Sequence, residues 1–220
     1  PLMEQEIKIS LQEKRNVSDT MSQKVQEMYE ENPYPRFKFA DYTNTDLANT
    51  IHKSIEIEAT RKSLSFSDEL KTYSATPKVL IAGCGTGNQV ITASRYKNAA
   101  ITAIDLSSSS LAYAIRKSIE SGMENVKFKQ MDLLDVAELG SIFDVIECSG
   151  VLHHMEKPSN GLSALTQQLK PGGYIKIGLY SEIARKVIVE ARKTIRTLRI
   201  SSTPESIREF RRKILHEEIR

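Results

Sequence analysis

The apolar run Val79-Leu80-Ile81-Ala82 breaks into Gly83-Cys84-Gly85-Thr86-Gly87-Asn88, and the next apolar run ends on Asp105. Four consecutive apolar residues suit a strand buried on both faces, as in a parallel sheet covered by helices. Glycines after such a strand let the chain turn sharply and come close to a ligand, because no Cβ intervenes. Asp105 stands 22 positions after Gly83, about where a βαβ unit sets a carboxylate against the two hydroxyls of a ribose. The pattern predicts an α/β fold and an adenosine-containing ligand.

Spacing then chooses among such ligands. A dinucleotide fingerprint needs its third glycine three places after the second, and that place is Asn88. Here the third glycine comes one residue early, as Gly83-x-Gly85-x-Gly87. This spacing resembles the first motif of the class I, seven-stranded S-adenosylmethionine-dependent methyltransferases, whose ligand ends in an amino acid instead of a pyrophosphate. Further stretches follow in that family's order. Ala103-Ile104-Asp105-Leu106-Ser107 is similar to the ribose-binding strand end, and Gln130-Met131-Asp132-Leu133 to the adenine-binding one. Phe143 to Met155 resembles the fourth strand with its loop, and Leu169-Lys170-Pro171-Gly172-Gly173-Tyr174 the turn into the fifth. The likeness covers roughly half the chain.

The resemblance implies a role for each matched residue. Gly83, Cys84, Gly85, Thr86 and Gly87 would receive the methionine part of the donor, with backbone N–H groups and a helix N-terminus facing its carboxylate. Asp105 would accept both ribose hydroxyls with Leu106 beside it. Asp132 would meet the adenine amino group, helped by the N–H of Leu133, although a carboxylate capping the next short helix looks the same in sequence. Ser149 would close the cofactor set. His154, with His153 second, stands where the acceptor enters and would take a proton if the acceptor must lose one. A histidine in such a loop serves as often to shape it or to hydrogen-bond. No metal site is assigned. An Asp/Asn-Pro-Pro-Tyr motif is missing at Ser149–Leu152, and Cys148 follows Glu147 where a cytosine-methylating enzyme would have Pro-Cys. Small-molecule and protein side-chain acceptors remain.

The segment Met28-Tyr29-Glu30-Glu31-Asn32-Pro33-Tyr34-Pro35-Arg36-Phe37 resembles one found ahead of this domain in a bacterial group of methyltransferase-domain proteins, some fused to tetratricopeptide repeats. No repeat of about 34 residues is visible in this chain. Tyr29, Tyr34 and Arg36 would suit a lid over a purine or sulfonium. The other reading is a proline-rich clasp that packs the N-terminal helix on the sheet.

The chain has 220 residues, 40% of them hydrophobic and 27% charged, with a net charge of +3. Such a length buries one good core plus an appendage. From Glu182 onward eleven Lys/Arg face six Asp/Glu, a balance of +5, so the preceding residues carry −2. A slightly acidic core lacks the basic patch on which nucleic-acid binding rests, and nucleic acid is not an expected partner. The basic excess fits a solvated helix face. No apolar run approaches a membrane span, and no signal pattern opens the chain. The first residue, Pro1, suggests a fragment or processed chain. Cys84 and Cys148 are expected to be reduced, packed and close together on neighbouring strands, in a cytoplasmic protein.

Three regions are expected: an N-terminal helical cap or lid over residues 1–76, a Rossmann-like core over 77–181, and a basic helical segment over 182–220. The core is a doubly wound, mainly parallel α/β sheet. Its strands are expected at Lys78–Ala82, Ala100–Asp105, Val126–Met131, Asp144–Cys148 and Tyr174–Leu179. Helices are expected at Asn88–Tyr96, Ser108–Ser121 and Ser159–Leu169, with a helical turn at Val136–Leu139. In the N-terminal region, Val17, Met21, Val25 and Met28 predict a helix behind Ser18 or Asp19, and Leu47, Ile51 and Ile55 another from Asp46. Ile183, Val187, Ile188, Ile195 and Leu198 predict a third after Ser181. The family's sixth and seventh strands are not found, and the basic helices would start an insertion before them or cover the fifth strand. The expected function is methyl transfer from S-adenosylmethionine to an unidentified acceptor. The alternative is a non-catalytic S-adenosylmethionine-binding scaffold or sensor whose basic tail engages a partner.

Overall fold

The computed structural model describes residues 2–11, 19–38, 48–64, 74–201 and 203–216. They fall into two compact units, residues 1–179 and 180–220. The first contains α1 (Leu2–Leu11), α2 (Thr20–Glu31), α3 (Ile51–Arg61), β1 (Lys78–Ala82), α4 (Asn88–Thr92), β2 (Ala100–Asp105), α5 (Ser108–Glu120), β3 (Val126–Gln130), β4 (Phe143–Ser149), α6 (Pro158–Gln167) and β5 (Leu169–Gly178). Among the described residues, three 3-10 turns, Ala93–Arg95, Leu133–Leu139 and Leu152–His154, link them. The N-terminal helices belong to the same unit as the sheet.

All strands pair parallel, in the order β3-β2-β1-β4-β5. The chain builds outward from β1 to β3, then returns to place β4 on the other side of β1. The reversal between β1 and β4 is the switch point at which open α/β sheets bind ligands, at the carboxyl ends of the strands. β1 lies at the centre because its residues are apolar on both faces. Val79 and Ile81 pack with Ile51, Val90, Ile101, Leu111 and Val145 on one side. Leu80 and Ala82 pack with Ile104, Val136, Ile146 and Leu165 on the other. Each full burial of such a side chain contributes about 1.5–3 kcal/mol.

Local chemistry sets most element ends. The Ser107 side chain accepts from the Ser110 N–H to start α5, and Gly122, at φ 69°, lets the chain leave it. Asp19 caps α2 through the Ser22 N–H; Ser18 and Val17 lie outside the described residues. α3 begins at Ile51, capped by Thr50, later than the expected start near Asp46. The reason is that Asn49 is held extended, bridging to Tyr96; Asp46 and Leu47 lie outside the described residues. β5 starts earlier than expected, because Leu169 pairs with Phe143 before a register shift lets Tyr174 pair with Val145. Lys170 to Gly173 bulge between them, with Gly172 at φ 75°.

Two ion networks pin β4. Buried Asp144 accepts the Lys78 N–H at 2.7 Å and the Lys170 ammonium at 2.8 Å. Buried Glu147 accepts from the Arg95 guanidinium and from the Tyr96 hydroxyl, the latter at 2.8 Å. Arg95 also faces Glu58 of α3 at 3.7 Å, and Glu58 pairs with Lys176 of β5 at 2.7 Å. Burial, then the neighbouring Glu147 carboxylate, push the Tyr96 phenol up, so it stays a donor.

The second unit holds α7 (Lys186–Thr197) and α8 (Pro204–Leu215). Thr203 caps α8 through the Ser206 N–H, with Pro204 in the first turn, where a missing N–H costs nothing. α7 starts after Ile183, which precedes the helix instead of joining its apolar stripe. Neither helix buries a residue. No helix among the described residues is long and apolar enough to cross a membrane.

Candidate active site

The glycine loop leaves β1 with Gly83, Gly85 and Gly87 all at positive φ, 70°, 52° and 95°. Two of them are packed shut. A Cβ on Gly83 would lie 2.2 Å from the Val151 side chain, and one on Gly87 would lie 2.8 Å from the Ala114 Cβ. Among the described residues, a Cβ on Gly85 would meet only the Tyr34 carbonyl oxygen, at 3.8 Å. Gly85 is therefore where the loop is open to close approach. Gly87 instead brings α5 against the loop, the work of a packing glycine.

The loop's N–H groups are largely spent inside the protein. Gly83 and Cys84 donate to the Ile104 carbonyl at 2.8 and 2.9 Å, and Gly87 donates to Cys84 at 3.0 Å. Gly85 donates to Asp105 Oδ2 at 2.7 Å. The expectation that these groups face a ligand carboxylate is corrected for those four residues. Buried backbone donors must be paired, and the Ile104 carbonyl lies beside the loop at the end of β2. Thr86 is buried, and its hydroxyl donates to the Pro35 carbonyl.

Asp105 joins the loop to the tip of β2. Its other oxygen, Oδ1, accepts the Ser107 N–H at 2.9 Å. Burial pushes its carboxyl above the usual aspartate range, opposed by the Ser107 and Gly85 N–H groups that favour the charged form. A carboxylate offers about four acceptor sites, so two N–H bonds leave room for hydroxyl donors. Next to it, the Leu106 carbonyl accepts the amides of Gln26 and Gln130, each at 2.9 Å. Asp132 is buried at the tip of β3 and caps the following 3-10 turn, accepting the Leu134 N–H at 3.0 Å. The capping role is thus present, and the Leu133 side chain sits in the core.

On the other side of β1, the Ser149 carbonyl accepts the Gln89 amide at 3.2 Å. The loop beyond brings His153 and His154 together, with ring centroids 4.2 Å apart. Tyr29 of α2 meets His154 edge-on at 6.2 Å. Tyr34 is largely exposed, and Arg36 stacks over the Tyr113 ring at 5.9 Å, with Phe37 against the same ring. Cys84 lies in the core on one face of the sheet and Cys148 in the core on the other. Burial pushes both thiols up, that of Cys148 to about 12, which makes them packing groups and poor nucleophiles.

The tips of β1, β2, β3 and β4 thus gather Gly85, Asp105, Leu106, Asp132, Ser149 and the histidine loop along one rim. Gln26 and Glu30 also stand on this rim, and neither was singled out as a site residue from the sequence. Glu30 meets Ser108 78 positions away.

Residues 74–210 match the model of a methyltransferase-domain family. The chain belongs to that family. It is 44% identical over 124 residues to an uncharacterised protein of Synechococcus sp., covering 56% of this chain and 30% of that protein. It is 36% identical over 102 residues to a ubiquinone biosynthesis O-methyltransferase of Pseudomonas syringae pv. tomato, covering 46% of this chain and 43% of that one. The chain spans less than half the length of these curated relatives. Among solved structures, the [4+2]-cyclase SpnF shares the fold, with a TM-score of 0.50, 22% identity, and coverage of 74% of this chain and 61% of that one.

Proposed function

We propose that the chain binds S-adenosylmethionine along the rim of β1, β2 and β3 and passes its methyl group to an acceptor entering beside the loop after β4. The observation that carries this is the bond from the Gly85 N–H to Asp105 Oδ2 at 2.7 Å. It fixes a turn open to close approach next to a carboxylate with acceptor sites left over. Those residues fit the donor's nucleoside. The sulfonium would supply an electrophilic methyl group. Asp105 receives the ribose hydroxyls, and Leu106, Asp132 and Leu133 line the base. Gly83 to Gly87 shape the space for the amino-acid end, bounded by Ser149. Orientation of the acceptor can supply much of the barrier reduction.

The acceptor is a small molecule or a protein side chain. The name of the Pseudomonas relative makes a hydroxyl the first class to try. A hydroxyl must lose its proton, which is the work assigned to His154 with His153 beside it. Residues 1–76 act as a cap on the core of 77–181, and 182–220 form a basic helical segment. The buried, reduced thiols suit a cytoplasmic protein.

Titration calorimetry with S-adenosylmethionine and its demethylated product tests the donor site. Hydrogen bonds to a charged group contribute about 1.5–3 kcal/mol, so Asp105→Ala should weaken donor binding roughly ten- to a hundredfold. An unchanged affinity removes that role from Asp105. Release of S-adenosylhomocysteine across a panel of hydroxylated acceptors then tests transfer itself.

A further inference from the structure

α2 and the extended residues after it cross the strand tips. The Gln26 amide holds the Leu106 carbonyl at 2.9 Å at the tip of β2. Tyr29 meets His154 beyond β4. The Tyr34 carbonyl is what lies nearest the open side of Gly85, and the Pro35 carbonyl takes the Thr86 hydroxyl. At the start of α5, Glu30 Oε1 accepts the Ser108 N–H, and Oε2 accepts the Ser109 hydroxyl at 2.6 Å. Lys8 of α1 backs that carboxylate at 2.8 Å and also reaches Ser109 Oγ at 2.6 Å. These contacts fall on the residues of the proposed donor site or on their immediate neighbours.

The forces holding α2 in this crossing segment are polar, while Phe37 after it packs against the Tyr113 ring. α2 buries a single residue, Ser22, whereas α5 buries seven, among them Leu111, Tyr113 and Ala114. Lifting α2 would therefore expose little core, which is how mobile binding elements are built. A carboxylate at a helix N-terminus is favoured by the unpaired N–H groups and the helix dipole there.

We propose that residues 20–37 form a strap closing the donor cleft, and that Glu30 is its latch on the first turn of α5. Glu30 is a positioning residue: it touches neither donor nor acceptor, and it holds shut the segment that a donor must pass. The strap then governs how fast donor and product exchange. The inference rests on the donor site proposed at Asp105.

Its test is stopped-flow binding and release of S-adenosylhomocysteine by the full chain and by Glu30→Ala and Glu30→Gln. Loss of a charge-assisted latch should raise both association and release rates about tenfold or more in Glu30→Ala, with affinity changing less than either rate. Glu30→Gln, which keeps an acceptor oxygen, should fall between. Hydrogen exchange without ligand should speed up in residues 20–31 and at Ser108 and Ser109, while β1 stays protected. Normal product binding with unchanged rates in both variants overturns the latch alone. Exchange that rises uniformly across the sheet reduces Glu30 to a stability residue and overturns it too. A wild-type chain that binds no S-adenosylhomocysteine removes the donor site, and the strap with it.

Discussion

The sheet and the strap that crosses it are built from opposite materials. Val79, Leu80, Ile81 and Ala82 of β1 are fully buried, and their contribution comes from apolar area removed from water. The strap is fastened by single hydrogen bonds, donated by Gln26 and accepted by Glu30 and by the Pro35 carbonyl, each contributing about 0.5–1.5 kcal/mol net, or more where charged. The sheet should be sensitive to volume and the strap to charge. The rim of the site lies where these two regimes meet.

The largest effect should come from volume at the rim. At Gly83 a Cβ would stand 2.2 Å from the Val151 side chain, on a backbone with φ 70°. Gly83→Val adds overpacking and left-handed strain, together about 3 kcal/mol or more. Urea denaturation should show an unfolding free energy lowered by that amount, and Val151→Ala should recover the steric share of Gly83→Ala. Unaltered stability in Gly83→Val would falsify the picture of a loop packed shut against β4.

A slightly smaller loss is expected from charge inside the sheet, which probes the comparison from the other side. Glu147 is buried and satisfies both Arg95 and Tyr96. Glu147→Ala strands a guanidinium, and breaking such a pair costs about 3 kcal/mol, at the lower end of the usual range because Arg95 retains Glu58. Replacing Glu147 and Arg95 together by leucine should restore much of it. If the double variant is no better than Glu147→Ala, the network does more than neutralise a buried charge.

The sheet was legible in the sequence because burial writes a period into the chain. The apolar runs at Val79–Ala82 and Ala100–Ile104 gave β1 and β2 their limits, and Ser107 and Gly122 bounded α5 through cap chemistry. The strap was legible as a helix followed by prolines, with a lid or a clasp as its two readings, but its fastenings were not. Its fastenings pair residues as far apart as Glu30 and Ser108, and no local pattern announces such a pair. The glycine loop was half legible. Its spacing marked the turn, but the partners of its N–H groups depend on the neighbouring strand, so Ile104 and Asp105 took donors expected to face a ligand. The opposite placement of Cys84 and Cys148 has the same origin. Adjacency of β1 and β4 says nothing of which face each thiol takes once the chain has turned.

Acid should separate site from strap with the smallest effect of all. Burial holds the Asp105 carboxyl above its ordinary range despite its N–H partners. Its charged form is therefore costly to the fold at neutral pH, and on acidification it is lost earlier than that of a free aspartate. Glu30 behaves oppositely. Burial opposes its charge, but hydrogen bonds from Lys8, Ser109 and Ser108 outweigh that and hold it below the ordinary glutamate value. A depressed carboxyl contributes stability that is fully present above its unfolded pKa and is lost only as pH falls through the folded one. As pH drops from 7 toward 4, donor affinity should decline a few-fold while the strap stays latched. Calorimetry with S-adenosylhomocysteine beside intrinsic-rate-corrected hydrogen exchange in α2 reads the two events separately. Exchange in α2 that rises before affinity falls would mean that the latch, and not the ribose carboxylate, is the first of the two carboxylates to take a proton.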